Sequence, residues 1–250
     1  GFLCADLKDY VQLCTQSVGD MSGWMQAIFP LLVTLLAAVG GTASSAFYQP
    51  AVMAAAGSMT TLIQHVTMPF AVGVAVLTMA VGLSDNVRLS RLCRLIRQIA
   101  NWTLGFGFTV FIGVMSVQGL SAAAVDGVSI RPAKYAMDSF IPIVGGMFAD
   151  TVDTLVGCSL LVENAVGVLG LLVLLLKLLT PLLRTVAALF LYRAASAALQ
   201  PVADSPLCRC IGEFGEVFSL LFIIELSMGA MFMLLCAEML TVGTMTVMLR

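Results

Sequence analysis

No Asp, Glu, Lys or Arg occurs anywhere between Met21 and Ser84. A neutral run of about sixty residues has room for two membrane spans of about 20 residues each and a turn. A soluble fold would have to hide that surface behind charges the chain does not have. Apolar residues make up 60% of the sequence and charged residues 10%, against roughly 25% charged in ordinary soluble domains. The net charge of −2 offers no basic field to nucleic acid. Barrel strands would appear as alternating segments of about 10 residues, so the expected class is all-α. We read a polytopic helical membrane protein with about five to seven transmembrane helices.

Ahead of the neutral run, Leu3, Leu7, Val11, Cys14, Val18, Met21, Met25 and Ile28 recur at spacings of three and four. That is the stripe of an amphipathic helix, read over 1–23 and lying on the membrane surface or against the rest of the fold. The remaining 24–250 form the transmembrane domain, with spans expected near 24–47, 59–83, 102–125, 154–176, 178–199 and 217–249. The first is expected to end at Tyr48-Gln49-Pro50. Arg88, Arg91, Arg94 and Arg97 stand at every third position among Leu89, Leu92, Leu95, Ile96 and Ile99. This reads as a basic helix at the membrane surface, cytoplasmic by the positive-inside tendency.

Segment 126–153 is more polar and holds Pro142 and the pair Gly145-Gly146 within a short apolar stretch. Proline and paired glycines are poor helix formers, so a hinge, a broken or a re-entrant element is expected here. Asp150 and Asp153 would then start the following helix, where acids suit the dipole. An internal repeat also shows. Laying 30–50 over 181–201 without gaps gives ten identities in twenty-one positions, among them Pro30 with Pro181 and Gln49-Pro50 with Gln200-Pro201. Repeats of this kind are a common plan in transporters and membrane complexes.

Ionisable groups inside apolar runs are the candidate functional residues. Glu163, Lys177, Arg184, Glu225 and Glu238 would each cost about 2.5–3.5 kcal/mol at the centre of a span. On one continuous helix Glu163, Lys177 and Arg184 would share a face, being close to whole turns apart. They would line a conduit or pack against Glu225 or Glu238; alternatively, Pro181 breaks the helix and the charges reach the interface. A single histidine, His65, excludes sites that need two. The seven cysteines have irregular spacing, neither a disulfide framework nor a zinc knuckle. No glycine-rich phosphate loop and no Gly-x-Ser-x-Gly elbow is present. No cofactor, no metal and no catalytic residue is assigned.

The run Asp126-Gly127-Val128-Ser129-Ile130-Arg131, Lys134, Phe140-Ile141-Pro142-Ile143-Val144-Gly145-Gly146-Met147, Asp150, Asp153-Thr154, Gly157-Cys158-Ser159-Leu160-Leu161 and Asn164-Ala165-Val166-Gly167 resembles the signature of the stage III sporulation protein AE family. Members are typically longer, so the chain is similar to their membrane portion or to a short member. The resemblance implies a role in endospore formation. The expected role is a non-enzymatic subunit of a mother-cell-to-forespore channel or secretion-like complex, in the mother-cell membrane around the forespore. Other stage III A membrane proteins, a forespore-side channel protein, the lipid bilayer and further copies of the chain are the expected partners. The residues by themselves also fit an autonomous secondary transporter of a small solute.

Overall fold

A computed structural model describes residues 2–38, 42–83, 87–140, 145–200 and 206–248, with side chains placed over 5–35, 37, 50–80, 91–118, 154–155, 157–200, 210–242 and 244. Among the described residues every element is a helix. These are α1 (Phe2–Ala38), α2 (Thr42–Leu62), α3 (Met68–Leu83), α4 (Val87–Phe140), α5 (Gly145–Leu199) and α6 (Pro206–Met248). A π-helical turn, Ile63–Thr67, joins α2 to α3 without a break. There the Met68 N–H donates to the Ile63 carbonyl, and the Thr67 hydroxyl donates to Leu62 O at 3.4 Å. The one histidine, His65, lies exposed in that turn.

Four helical stretches are long and apolar enough to cross a membrane among the described residues: Pro50–Ala80, Arg91–Gln118, Gly157–Leu199 and Cys210–Val242. This is a helical membrane protein with fewer and longer candidate spans than the five to seven expected. Part of the difference lies at a proline, Pro181, and the expected span 24–47 lies partly outside the residues with placed side chains. The turn expected at Tyr48-Gln49-Pro50 is absent, because α2 runs through Pro50, and α5 runs through Pro181 where two spans, 154–176 and 178–199, were expected. A proline removes one backbone donor and crowds one carbonyl. In an apolar helix packed on neighbours, local adjustments satisfy the freed group and the helix continues. The two copies of the sequence repeat also differ in setting: Pro30 and Pro50 fall in separate helices, α1 and α2, and Pro181 falls inside α5.

The chain divides into two compact units. The first comprises Gly1–Ser22, Ser58–Thr109 and Leu174–Ala230; the second comprises Gly23–Gly57, Val110–Val173 and Met231–Arg250. In the first, α6 supplies the centre, with Phe214, Phe218, Leu221, Ile224 and Met228 all buried. The α1 stripe contributes Leu7, Cys14, Val18 and Met21 to the same core. Tyr10 meets the Phe218 ring edge-on at 5.0 Å, and Tyr192 stacks on Phe218 at 4.9 Å, joining α1, α5 and α6 through aromatic pairs worth about 0.5–1.5 kcal/mol each.

The α5 and α6 segments of this unit run antiparallel, with Gly229 against Leu178, Gly215 against Tyr192 and Gly212 against Ser196. At Gly229 a Cβ would run into the Leu178 side chain. The glycine is what lets the helices approach so closely, as small residues do in membrane bundles. In the second unit Gly167 faces Leu240 in the same manner.

Candidate functional site

Along α5 the residues Glu163, Gly167, Leu174, Leu178, Pro181, Thr185, Ala188 and Tyr192 form one buried ridge at spacings that return to the same face. Lys177 and Arg184 do not share it; both are exposed. An α-helix drifts by about 20° per seven residues against a strict heptad. Fourteen and then seven residues beyond Glu163, that drift has carried Lys177 and Arg184 off the buried face. Glu238 on α6 is half-buried.

Two carboxylates are therefore enclosed. In the second unit Glu163 is 1% exposed, and in the first Glu225 is 0% exposed. Neither Glu163 oxygen has a hydrogen-bond partner, whereas Glu225 has the Thr185 hydroxyl and the Cys14 thiol beside it, outside ideal hydrogen-bond geometry. Such burial is costly in an apolar interior, and intramembrane ionisable groups so placed mark function by default.

Around Glu225 the structure assembles residues that the spacing of charges does not announce. Cys14 of α1 and Thr185 of α5 both face it. The Cys14 Sγ lies 3.9 Å from Leu221 O, one turn before Glu225, and donates to it. Burial, reinforced by the neighbouring Glu225, pushes the Cys14 thiol far above its ordinary range. It stays a protonated thiol, a weak donor and not a nucleophile. The signal in the sequence was the position of Cys14 on the apolar stripe of α1, which put it inside but did not name its neighbour.

A second polar cluster in the first unit ties three helices together. Arg97 of α4 donates from Nη1 to Glu216 Oε2 at 3.0 Å and from Nη2 to Glu213 Oε2 at 3.4 Å; Arg193 of α5 donates from Nη2 to Glu216 Oε1 at 3.2 Å. The Arg97 side chain is only 13% exposed, so its pairs are screened less than the Arg193–Glu216 pair, where both partners are about half-exposed. Of the basic row, Arg97 thus faces inward while Arg91 and Arg94 are exposed. Arg88 belongs to α4, with its side chain outside the described residues. The spacing Glu213-x-x-Glu216, one turn apart on α6, was the legible trace of this cluster.

Segment 126–153 is helical where it is described. Residues 126–140 complete α4 and 145–153 open α5. Gly145 and Gly146 form the first turn of α5, while Asp150 and Asp153 lie beyond that turn. Pro142 and the side chains of Asp150 and Asp153 lie outside the described residues. Among the described residues no group of three His, Cys, Asp or Glu side chains is placed to hold a metal ion.

The family model described as stage III sporulation protein AE matches residues 2–243. The stage III sporulation protein AE of Bacillus subtilis (strain 168) is 33% identical over 240 residues, covering 96% of this chain and 60% of that protein. The chain therefore spans about three-fifths of the length of that relative. No solved structure matches. With a family match over nearly its whole length and the long apolar helices of a membrane protein, the chain belongs to the stage III sporulation protein AE family.

Proposed function

We infer that the chain is a non-enzymatic integral membrane subunit of a mother-cell-to-forespore channel or secretion-like complex needed for endospore formation. The family match across residues 2–243 carries this reading. Helix length supports it. At about 1.5 Å per residue the 54 residues of α4 and the 55 of α5 are each about 80 Å long, against about 30 Å of hydrocarbon. Helices of that length offer surface to other subunits as well as to lipid. In this reading the partners are other stage III A membrane proteins, a forespore-side channel protein and further copies of the chain. The location is the mother-cell membrane around the forespore. The enclosed Glu163 and Glu225, each within its own unit, serve the complex as conduit or packing groups, and the segment around Pro142, Gly145, Gly146, Asp150 and Asp153 is where the subunit meets its neighbours.

Deleting the gene tests the reading. Development should stop after engulfment while vegetative growth stays normal; a normal spore yield overturns it. The two buried carboxylates, Glu163 and Glu225, favour a second reading, an autonomous secondary transporter. Purified protein that moves a solute into liposomes without other subunits would select that reading.

A further inference from the structure

The exposed ridge of α4 changes character along its length in the order a bilayer does. Arg91, Leu95, Gln98, Trp102 and Phe106 are all exposed, at spacings of three and four that keep them on one face. Arg94 is exposed next to Arg91 and Leu95. Trp102, at 73%, is the most exposed of the large apolar side chains described, and Phe106 on the same ridge is exposed at 70%. Tryptophan favours the boundary between headgroups and acyl chains. With Trp102 at that boundary, Phe106 falls on the acyl side and Arg94, about two turns earlier, on the headgroup side.

On the side of α4 away from this ridge, Cys93, Ala100 and Leu104 are buried and Arg97 is turned inward. Its guanidinium meets Glu213 and Glu216, and Arg193 takes the other oxygen of Glu216. Glu213 and Glu216 are thereby engaged with Arg97 and Arg193, and Arg91 and Arg94 stand on the outer face of α4. Between and beside them Leu92, Leu95 and Ile99 are exposed at 45%, 55% and 44%. An acidic peptide would satisfy the guanidinium groups and leave these side chains in contact with polar backbone. A phospholipid meets both demands, its phosphate accepting paired N–H donors from arginine and its acyl chains covering the leucines.

We propose that Arg91 and Arg94, with Leu95 and Trp102 below them, form a binding site for an anionic phospholipid headgroup. The site lies on the outer face of α4 where the helix enters the bilayer. It rests on the membrane character of the fold and is independent of the channel reading.

The test uses the full chain reconstituted in vesicles of phosphatidylcholine alone or with phosphatidylglycerol. Retained lipid is counted by native mass spectrometry, and the thermal midpoint is followed as phosphatidylglycerol is titrated in. The wild type should retain phosphatidylglycerol and be stabilised by it more than by phosphatidylcholine, less so at high salt. The double substitution Arg91→Gln with Arg94→Gln should weaken the apparent affinity about 30-fold, and Arg91→Lys with Arg94→Lys, which keeps the charge but not the paired donors, should restore only part of it. Equal retention of the two lipids by the wild type overturns the proposal, and that measurement stands even where the Gln variant fails to fold. Unchanged phosphatidylglycerol dependence in a folded Gln variant also overturns it. If that variant instead loses association with another sporulation protein, the face belongs to a protein partner.

Discussion

Glu225 occupies a position that packing alone would not give to a carboxylate. It is fully enclosed on α6, and the polar side chains that face it are a thiol and a hydroxyl. Replacing a buried ionic group by an apolar one of similar size is often neutral or stabilising by about 1–4 kcal/mol. Glu225→Leu and Glu225→Gln should therefore leave the thermal midpoint of the purified protein unchanged or raised, while spore yield falls. A lowered midpoint in both variants would show that the carboxylate is held for stability instead. The sequence made Glu225 visible because a charge in an apolar run stands out. It did not make Cys14 or Thr185 visible as its neighbours: Cys14 meets α6 across 207 positions of chain, and no local spacing records such a contact.

Helices were legible from the apolar runs, and their ends were not. Pro50 and Pro181 read as terminators, yet α2 and α5 pass through them, because a helix braced along its length by neighbours absorbs one missing donor. The fit of α5 against α6 was equally hidden, since it depends on which glycine meets which leucine. Gly229→Ala should destabilise by about 1–3 kcal/mol, the usual penalty for overpacking, because its new methyl group meets Leu178. Adding Leu178→Ala should recover most of that loss. Gly105, where a Cβ meets nothing within 4 Å, supplies the control, and Gly105→Ala should be neutral or slightly stabilising. Thermal unfolding in detergent measures all three variants. An equal effect at Gly229 and Gly105 would mean that helix propensity, and not the contact, sets the result.

For the whole molecule, counting windows of about 20 residues assumes that helices stop at the membrane surface. Here α4 and α5 run far past that length, and in α5 two expected spans, 154–176 and 178–199, form the single candidate Gly157–Leu199. The motif run through 126–167 located the family without revealing what that segment touches. On the assembly reading, substituting Gly145 and Gly146 together by leucine should leave membrane insertion intact. Leucine is a better helix former than glycine by up to about 1 kcal/mol per position, so α5 itself should not suffer. Co-purification with the other stage III A proteins, and spore yield with it, should be lost. Wild-type assembly in the double variant would reduce the segment to a connector.

The π-helical turn at Ile63–Thr67 leaves a mark that belongs to the history of the chain as much as to its geometry. A π turn holds one residue more than an α turn over the same stretch. Such a helix can gain or shed a single codon at that place while the flanking halves keep their orientation. Ile63 and Thr67 both point into the core, and Met59 on one side and Ala71 on the other are buried as well. Elsewhere in the helix a one-residue deletion would swing every later side chain by about 100°. Length variation between relatives in this helix should therefore collect around His65.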